Sequence, residues 1–324
     1  MSTPQKINGL IRHLRNDCHI SIKGKYQKQQ LISYGYYHGY KGYRFFAKSS
    51  NPIPYTDFSE VVAVIEYDNN LKAAFYPELM FIETALKNII CNESVVGLKD
   101  CSFEYLYKER MSDNPSNTKL HIKRLKLRNS VFSKLSDKYI NEENNDNQMV
   151  RHFYNRGEDA PLWVIFEIIY LSDLASFFEC LNTSTRINIL SSLDMLEVSI
   201  DTNRNLLAYL IYTLKSLRNA VAHNNIIFDI RFKDRNVNNA LRKWLEKETK
   251  INNITLYSLV DYIILMCCIL KRIDFSSIRA KSMLEKYEKE NEKLKNSVKP
   301  EIYDKIVSTN VLTKISGLKR YLEI

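Results

Sequence analysis

Apolar positions recur along most of the chain at the three-to-four-residue spacing of a helix, which predicts an all-α fold. Residues 5–16 place Ile7, Leu10, Ile11 and Leu14 on one face of a short helix. From Thr56 or Asp57, either of which suits an N-cap, a long stripe runs through Val61, Val64, Ile65, Leu71, Phe75, Leu79, Ile82, Leu86 and Ile89-Ile90. The polar run Tyr67-Asp68-Asn69-Asn70 is a candidate break within it. Ala160-Pro161-Leu162-Trp163 opens an apolar helix reaching about Cys180, with proline near its first turn. Asp201 or Thr202 caps a further helix whose core face is Leu206, Leu207, Leu210, Ile211, Leu214, Leu217 and Val221. Helices over 236–249 and 255–273 follow. The Lys/Glu-rich tail over 277–296 reads as a solvated helix laced with i,i+4 pairs.

Other stretches break this pattern. Residues 23–48 hold Tyr26, Tyr34, Tyr36, Tyr37, Tyr40, Tyr43, Phe45 and Phe46, interleaved with cations that include Lys41 and Arg44. Glycines at 24, 35, 39 and 42 predict a locally irregular segment there. Asn51-Pro52-Ile53-Pro54 marks a loop, residues 111–118 a polar loop, and residues 141–148 a mobile one. Between the last two lies a basic helix or extended stretch, with Lys119, His121, Lys123, Arg124, Lys126 and Arg128 set among Leu120, Ile122, Leu125 and Leu127 as anchors. The resulting division is an N-terminal helix with the aromatic basic segment (1–55), a helical core (56–275) and a charged helical extension (276–324).

Composition agrees with this picture. Only 8 glycines and 7 prolines in 324 residues disfavour a turn-rich β fold. The excess of 47 basic over 37 acidic residues, +10, fits a polyanion partner, with nucleic acid ahead of an acidic membrane surface, though a merely basic protein would look the same. The cysteines Cys18, Cys91, Cys101, Cys180, Cys267 and Cys268 form no C-x-x-C pair and no zinc spacing with histidine, so no metal site or cofactor is expected. They read as reduced and mostly buried, hence a cytoplasmic protein. The N-terminus has no apolar leader region. The longest apolar run, 257–270, is broken by Ser258 and Asp261, so neither secretion nor a membrane span is expected.

The candidate chemistry lies at the end of the Leu206–Val221 stripe, where Arg218, Asn219 and His223 occur together. Histidine exchanges protons near neutral pH, and arginine holds phosphate in a planar fork. With 17 arginines and 6 histidines such a spacing arises easily by chance, and Arg12 and His19 form a comparable pair. An exposed arginine beside a histidine at a helix C-terminus is the bland alternative. Asn219 and His223 share a helix face, whereas Arg218 and His223 lie about 140° apart on a regular helix. They converge only if the helix end distorts or a second copy supplies the other half.

Arg218-Asn219-Ala220-Val221-Ala222-His223 resembles the R-N-x-x-x-H form of the HEPN ribonuclease motif. Four more elements in order resemble the Abi-like (AbiD/AbiF) family of abortive-infection proteins. Gly35-Tyr36-Tyr37-His38-Gly39-Tyr40 resembles its G-Y-Y segment, with a shifted glycine. Tyr67-Asp68-Asn69-Asn70-Leu71-Lys72 resembles its F-D-x-x-L-R element, and Ile82-Glu83-Thr84-Ala85-Leu86-Lys87 its I-E-x-x-L-R element. Pro161-Leu162-Trp163-Val164-Ile165-Phe166-Glu167 fits P-x-W-x-x-x-E. Lys72 and Lys87 stand where arginine is common, and Asn224 where a second histidine often follows.

The resemblance covers roughly residues 5–230 and implies a HEPN-like bundle and a metal-independent endoribonuclease acting in phage defence. It implies Arg218, His223 and Asn219 as the catalytic set and 2′,3′-cyclic phosphate products. It also implies a homodimer with a composite site and a small structured RNA as restraining partner. A HEPN-like module that holds RNA without cutting it is the competing expectation, and a pure protein-interaction protein using the charged tail is a third. Lys119, Lys123, Arg124, Lys126 and Arg128 are one candidate RNA surface; Lys41 and Arg44, among aromatics, are another. A solvated helix face and a packed aromatic subcore are the respective structural alternatives. Glu83 and Glu167 on apolar helices read equally as partners of the site or as helix–helix pairs.

Overall fold

A computed structural model describes residues 6–112, 117–140, 147–233, 238–274 and 276–323. Among them the chain is all-α, with isolated β-bridges and no strand. The polar loops expected over 111–118 and 141–148 fall largely outside the described residues.

The N-terminal helix α1 (Ile7–Asn16) buries Ile11 and Leu14. The aromatic segment is helical only as far as Tyr43: α2 (Gly24–Tyr34) passes directly into a π-helical turn over Gly35–Lys41, and residues 44–48 are irregular. The wide turn requires glycine at 39, where a β-carbon would stand 2.9 Å from the Tyr34 carbonyl oxygen. Tyr40 and Tyr43 turn inward, and the Tyr43 ring stacks on Phe228.

Helix α3 (Phe58–Val95) is the axis of the fold: 38 residues, about 57 Å at 1.5 Å per residue. Asp57 caps it. Its Oδ1 accepts the Ser59 N–H at 2.9 Å, while Glu60 Oε2 accepts the Asp57 N–H at 3.2 Å, a reciprocal capping box. The expected break at 67–70 is absent. Tyr67 and Asp68 face the interior and find partners there, so their polarity costs the helix nothing. Even Pro77, which cannot donate a backbone hydrogen bond, lies within the continuous helix.

Helices α6 (Asn147–Tyr154), α7 (Leu162–Ile168) and α8 (Leu171–Cys180) pack with α5 (Thr118–Ile140), which also holds the short α4 (Phe103–Glu109) through side chains, while α7 and α9 (Thr183–Ser192) pack on α3. The apolar helix expected from 161 to about 180 is therefore two. Ile169, in an extended conformation, ends the first, and Tyr170 is the N-cap position of the second, where Asp173 Oδ2 accepts the Tyr170 N–H at 3.2 Å. Helix α10 (Leu206–Ala222) buries every expected core residue. Its N-cap is Asn205, and Asp201 contributes at its start, accepting the Leu206 N–H at 2.7 Å.

After α11 (Asn239–Thr249), helix α12 (Leu259–Asp274) is buried all round from Leu259 to Leu270, as befits a central core helix. Helix α13 (Ile278–Ser297) corrects the solvated reading of the tail. Beneath its charges, Ala280, Met283, Leu284, Tyr287 and Leu294 pack along α3, and the Tyr67 hydroxyl donates to Asn291 Oδ1 at 2.7 Å. Helices α14 (Pro300–Ile306) and α15 (Thr309–Leu322) close the chain. No helix among the described residues is long and apolar enough to cross a membrane.

Candidate functional site

His223 sits at the C-cap of α10, where the helix stops because Asn224 adopts a left-handed conformation (φ 53°). The turn that follows is held from below by α3. Asp68, fully buried, accepts the N–H groups of Ile227 (2.9 Å) and Phe228 (2.8 Å) and the hydroxyl of Tyr43 (2.8 Å). Lys72, one turn along α3, pairs with Asp68 at 2.9 Å and donates to Asn224 Oδ1 at 2.7 Å. Above this clamp the His223 side chain is exposed and makes no hydrogen bond, ion pair or ring contact with any described residue.

Arg218 faces elsewhere. Its Nε donates to Glu83 Oε2 at 2.9 Å and its Nη1 to Asn219 Oδ1 at 3.3 Å, leaving Nη2 without a partner among the described residues. Glu83 also pairs with Lys87 at 3.2 Å. These three residues open into a cavity of about 450 Å³. Lys134, Asp137, Lys138, Glu167 and Tyr170 complete its polar lining, and Met149, Val150, Val164, Ile168 and Ile169 give it an apolar side. Glu83 is thus a partner of the candidate site, and Glu167 is an exposed cleft residue with no ion-pair partner among the described residues. Neither His223 nor Asn219 lines this cavity.

Sequence reasoning did not single out Lys134, Lys138 or Tyr170. The i,i+4 spacing of the two lysines just beyond the basic stretch was the available signal. Lys134 is tied to Asp173 at 3.1 Å and lies over the Tyr170 ring at 4.6 Å.

The basic stretch is the first half of α5, and its orientation differs from the expected one. The buried face is Arg124, Leu127, Val131 and Leu135, while Ile122 and Leu125, expected as anchors, are exposed. Arg124 therefore does not face solvent. Its Nη2 donates to the Tyr107 carbonyl at 2.9 Å, and its guanidinium stacks on the Tyr107 ring at 4.0 Å. Arg128 pairs with Glu104 at 3.0 Å, and Lys123 pairs with Glu179. Lys119 and Lys126 are exposed. In the other candidate surface, Lys41 stands over the rings of Tyr36 (5.3 Å) and Tyr37 (4.8 Å), and Arg44 is exposed.

Among the described residues, no group of three or more histidines, cysteines or carboxylates is placed to hold a metal ion. Burial, the Asp68 charge and the hydrogen bond to it all raise the Tyr43 hydroxyl far above its ordinary range, so it stays a donor.

An all-α protein with a clamped, exposed histidine at one helix end and a charged cleft beside the same helix is the class that fold and site define. The family model described as Abi-like protein matches residues 29–229, and the chain belongs to that family. Membership suggests an abortive-infection protein. No curated protein and no solved structure matches the chain.

Proposed function

We propose that the protein is a metal-independent HEPN-type endoribonuclease acting in abortive infection. The observation that carries this reading is His223, an unpartnered, exposed imidazole on a turn held by the buried Asp68–Lys72 pair. A proton-transfer group works best when its scaffold is fixed and its ring is free to meet substrate.

In this mechanism the RNA 2′-OH attacks the adjacent phosphate, and the P–O5′ bond breaks. His223 takes the 2′-OH proton or gives one to the departing 5′-oxygen. Arg218, through its unpaired Nη2, stabilises the added negative charge of the pentacoordinate transition state. Asn219 orients the Arg218 guanidinium through their 3.3 Å contact. The products are a 2′,3′-cyclic phosphate and a 5′-hydroxyl, and DNA, lacking the 2′-OH, is not cut. Because His223 does not line the cavity that Arg218 enters, the working unit of this mechanism is a homodimer in which a second copy completes each site.

The test is cleavage of single-stranded RNA in EDTA by wild type, His223→Ala and Arg218→Ala. Removal of a general acid–base group is expected to slow cleavage roughly 10²–10⁴-fold. Equal rates for wild type and His223→Ala, or loss of wild-type activity on chelation, would refute the mechanism.

One observation favours a second reading, an RNA-binding module that does not cut. Glu83 neutralises Arg218 and is itself shared with Lys87, so the cleft is held by internal pairs. A small structured RNA that co-purifies with the protein, with no cleavage by either dimer or monomer, would establish that reading instead.

A further inference from the structure

A second cavity, of about 420 Å³, lies where the start of α5, the start of α10 and helix α9 meet. It shares no lining residue with the Arg218 cleft. Its wall carries three cations, Lys119, Lys123 and Arg186, against one carboxylate, Glu179. Glu179 is already engaged by Lys123 and by the Tyr212 hydroxyl at 3.0 Å. Lys119 has no ion-pair partner among the described residues.

Arg186 is the unusual group. It is half-buried, yet no carboxylate of the described residues lies within ion-pair distance of it. Only neutral acceptors hold it: its Nη1 donates to the Asn203 carbonyl at 2.9 Å and to Asn205 Oδ1 at 2.6 Å. Its Nε is buried and unpaired. Burial lowers its pKa, the sign of a guanidinium that lacks full compensation. A side chain held in this way is preorganised for an anion, because its geometry is set before its charge is met. Asn117, Asn203 and Asn205 supply amide groups around it for ester and hydroxyl oxygens.

We propose that this cavity is a binding site for a phosphate ester, with Arg186 and Lys119 as its anion-holding groups and the asparagines as its polar lining. Its volume suits one nucleotide unit. The phosphate comes either from a free mononucleotide or from the backbone of an RNA chain. Phosphate binding stands independently of the ribonuclease reading, and only the use of the site by RNA rests on it.

Calorimetric titration of the full chain with 5′-AMP, with inorganic phosphate and with a 2′-O-methyl oligoribonucleotide tests the proposal. The methylated chain cannot be cleaved, so binding is read without turnover. Lys119→Glu changes an exposed group and preserves the fold, and Arg186→Gln removes the held charge. Each is expected to weaken binding about tenfold or more, the scale of a charge-assisted hydrogen bond. Binding of the oligonucleotide but not AMP assigns the site to the RNA backbone, and comparable binding of AMP assigns it to free nucleotides. No binding of any of the three ligands, or binding untouched by both Lys119→Glu and Arg186→Gln, overturns the proposal. Loss of RNA cleavage in His223→Ala with phosphate binding intact separates this site from the catalytic one.

Discussion

The Asp68–Lys72 pair makes an asymmetric prediction. Asp68 is fully buried and serves four partners: the Ile227 and Phe228 amides, the Tyr43 hydroxyl and the Lys72 ammonium. Asp68→Ala leaves the ammonium unpaired in the interior, which costs about 3–5 kcal/mol. It also orphans buried donors, at about 1–3 kcal/mol each before water relieves them. The total is about 5 kcal/mol, a large part of the roughly 5–15 kcal/mol that holds a domain together. Lys72→Met is milder. The carboxylate keeps three neutral donors, and the loss is one charged contact plus the bond to Asn224, about 2 kcal/mol. Urea unfolding at neutral pH should rank Asp68→Ala well below Lys72→Met, with Asp68→Asn as a foldable intermediate. Amide hydrogen exchange gives a local reading: Ile227 and Phe228 should lose protection in Asp68→Ala and keep it in Lys72→Met and in Asp68→Asn, whose Oδ1 still accepts both N–H groups. A Lys72→Met protein as unstable as Asp68→Ala, or unchanged exchange at both amides in Asp68→Ala, would refute the clamp.

Thiol reactivity gives a further check. Burial pushes the Cys180 and Cys268 thiols up to about 12 and Cys267 well above its ordinary value, whereas Cys101 is exposed. Alkylation of the native protein followed by mass spectrometry should label Cys101 first and spare these three until denaturant is added; early labelling of Cys267 would contradict the packing of α12. Acid stability supplies another. Burial pushes the Glu248 carboxyl up, but Arg272, the Tyr321 hydroxyl and Lys271 outweigh it, and its pKa falls below the ordinary 4.5. A depressed pKa contributes stability that is present above the unfolded value and lost as pH falls through the folded one. Glu248→Gln should therefore be less stable than wild type at neutral pH, and the gap should close below about pH 4.5; a gap that stays constant on acidification would contradict this.

Local periodicity was enough for some elements and misleading for others, and the reason differs by position. The buried face of α10 follows directly from its apolar spacing, because Leu206 to Val221 repeats at three and four. The basic stretch misled because Leu120, Ile122, Leu125 and Leu127 nearly alternate, whereas a helix buries residues three or four apart. The face actually buried, 124–127–131–135, puts an arginine in the interior over Tyr107. The polar run at 67–70 resembled a break because its partners, Asn291, Glu290 and the 227–228 amides, lie far away in sequence. The division at Tyr170 left one trace, an acidic residue three positions on, where Asp173 completes a capping box. For the site, Arg218 and His223 were legible as a motif. Their divergence was legible too, from the angle of about 140° between them on a regular helix, but what each one faces was not, since that depends on which helices flank α10.

The five family-like elements separate by role once their contacts are known. Tyr43, just beyond the G-Y-Y segment, and the Asp68–Lys72 element meet beneath the turn after His223 and act on the backbone. Glu83, Lys87 and Glu167, from the third and fourth elements, meet at the cleft that Arg218 enters and act on charge. The R-N-x-x-x-H helix joins the two groups: its arginine belongs to the cleft and its histidine to the clamp. A change in the first group alters where the imidazole is held and how firmly the chain folds. A change in the second alters how much of the Arg218 charge is free, since Glu83 already takes its Nε. On the proposed ribonuclease reading, the two groups govern separate halves of one reaction, and the proposed second copy brings those halves to the same phosphate.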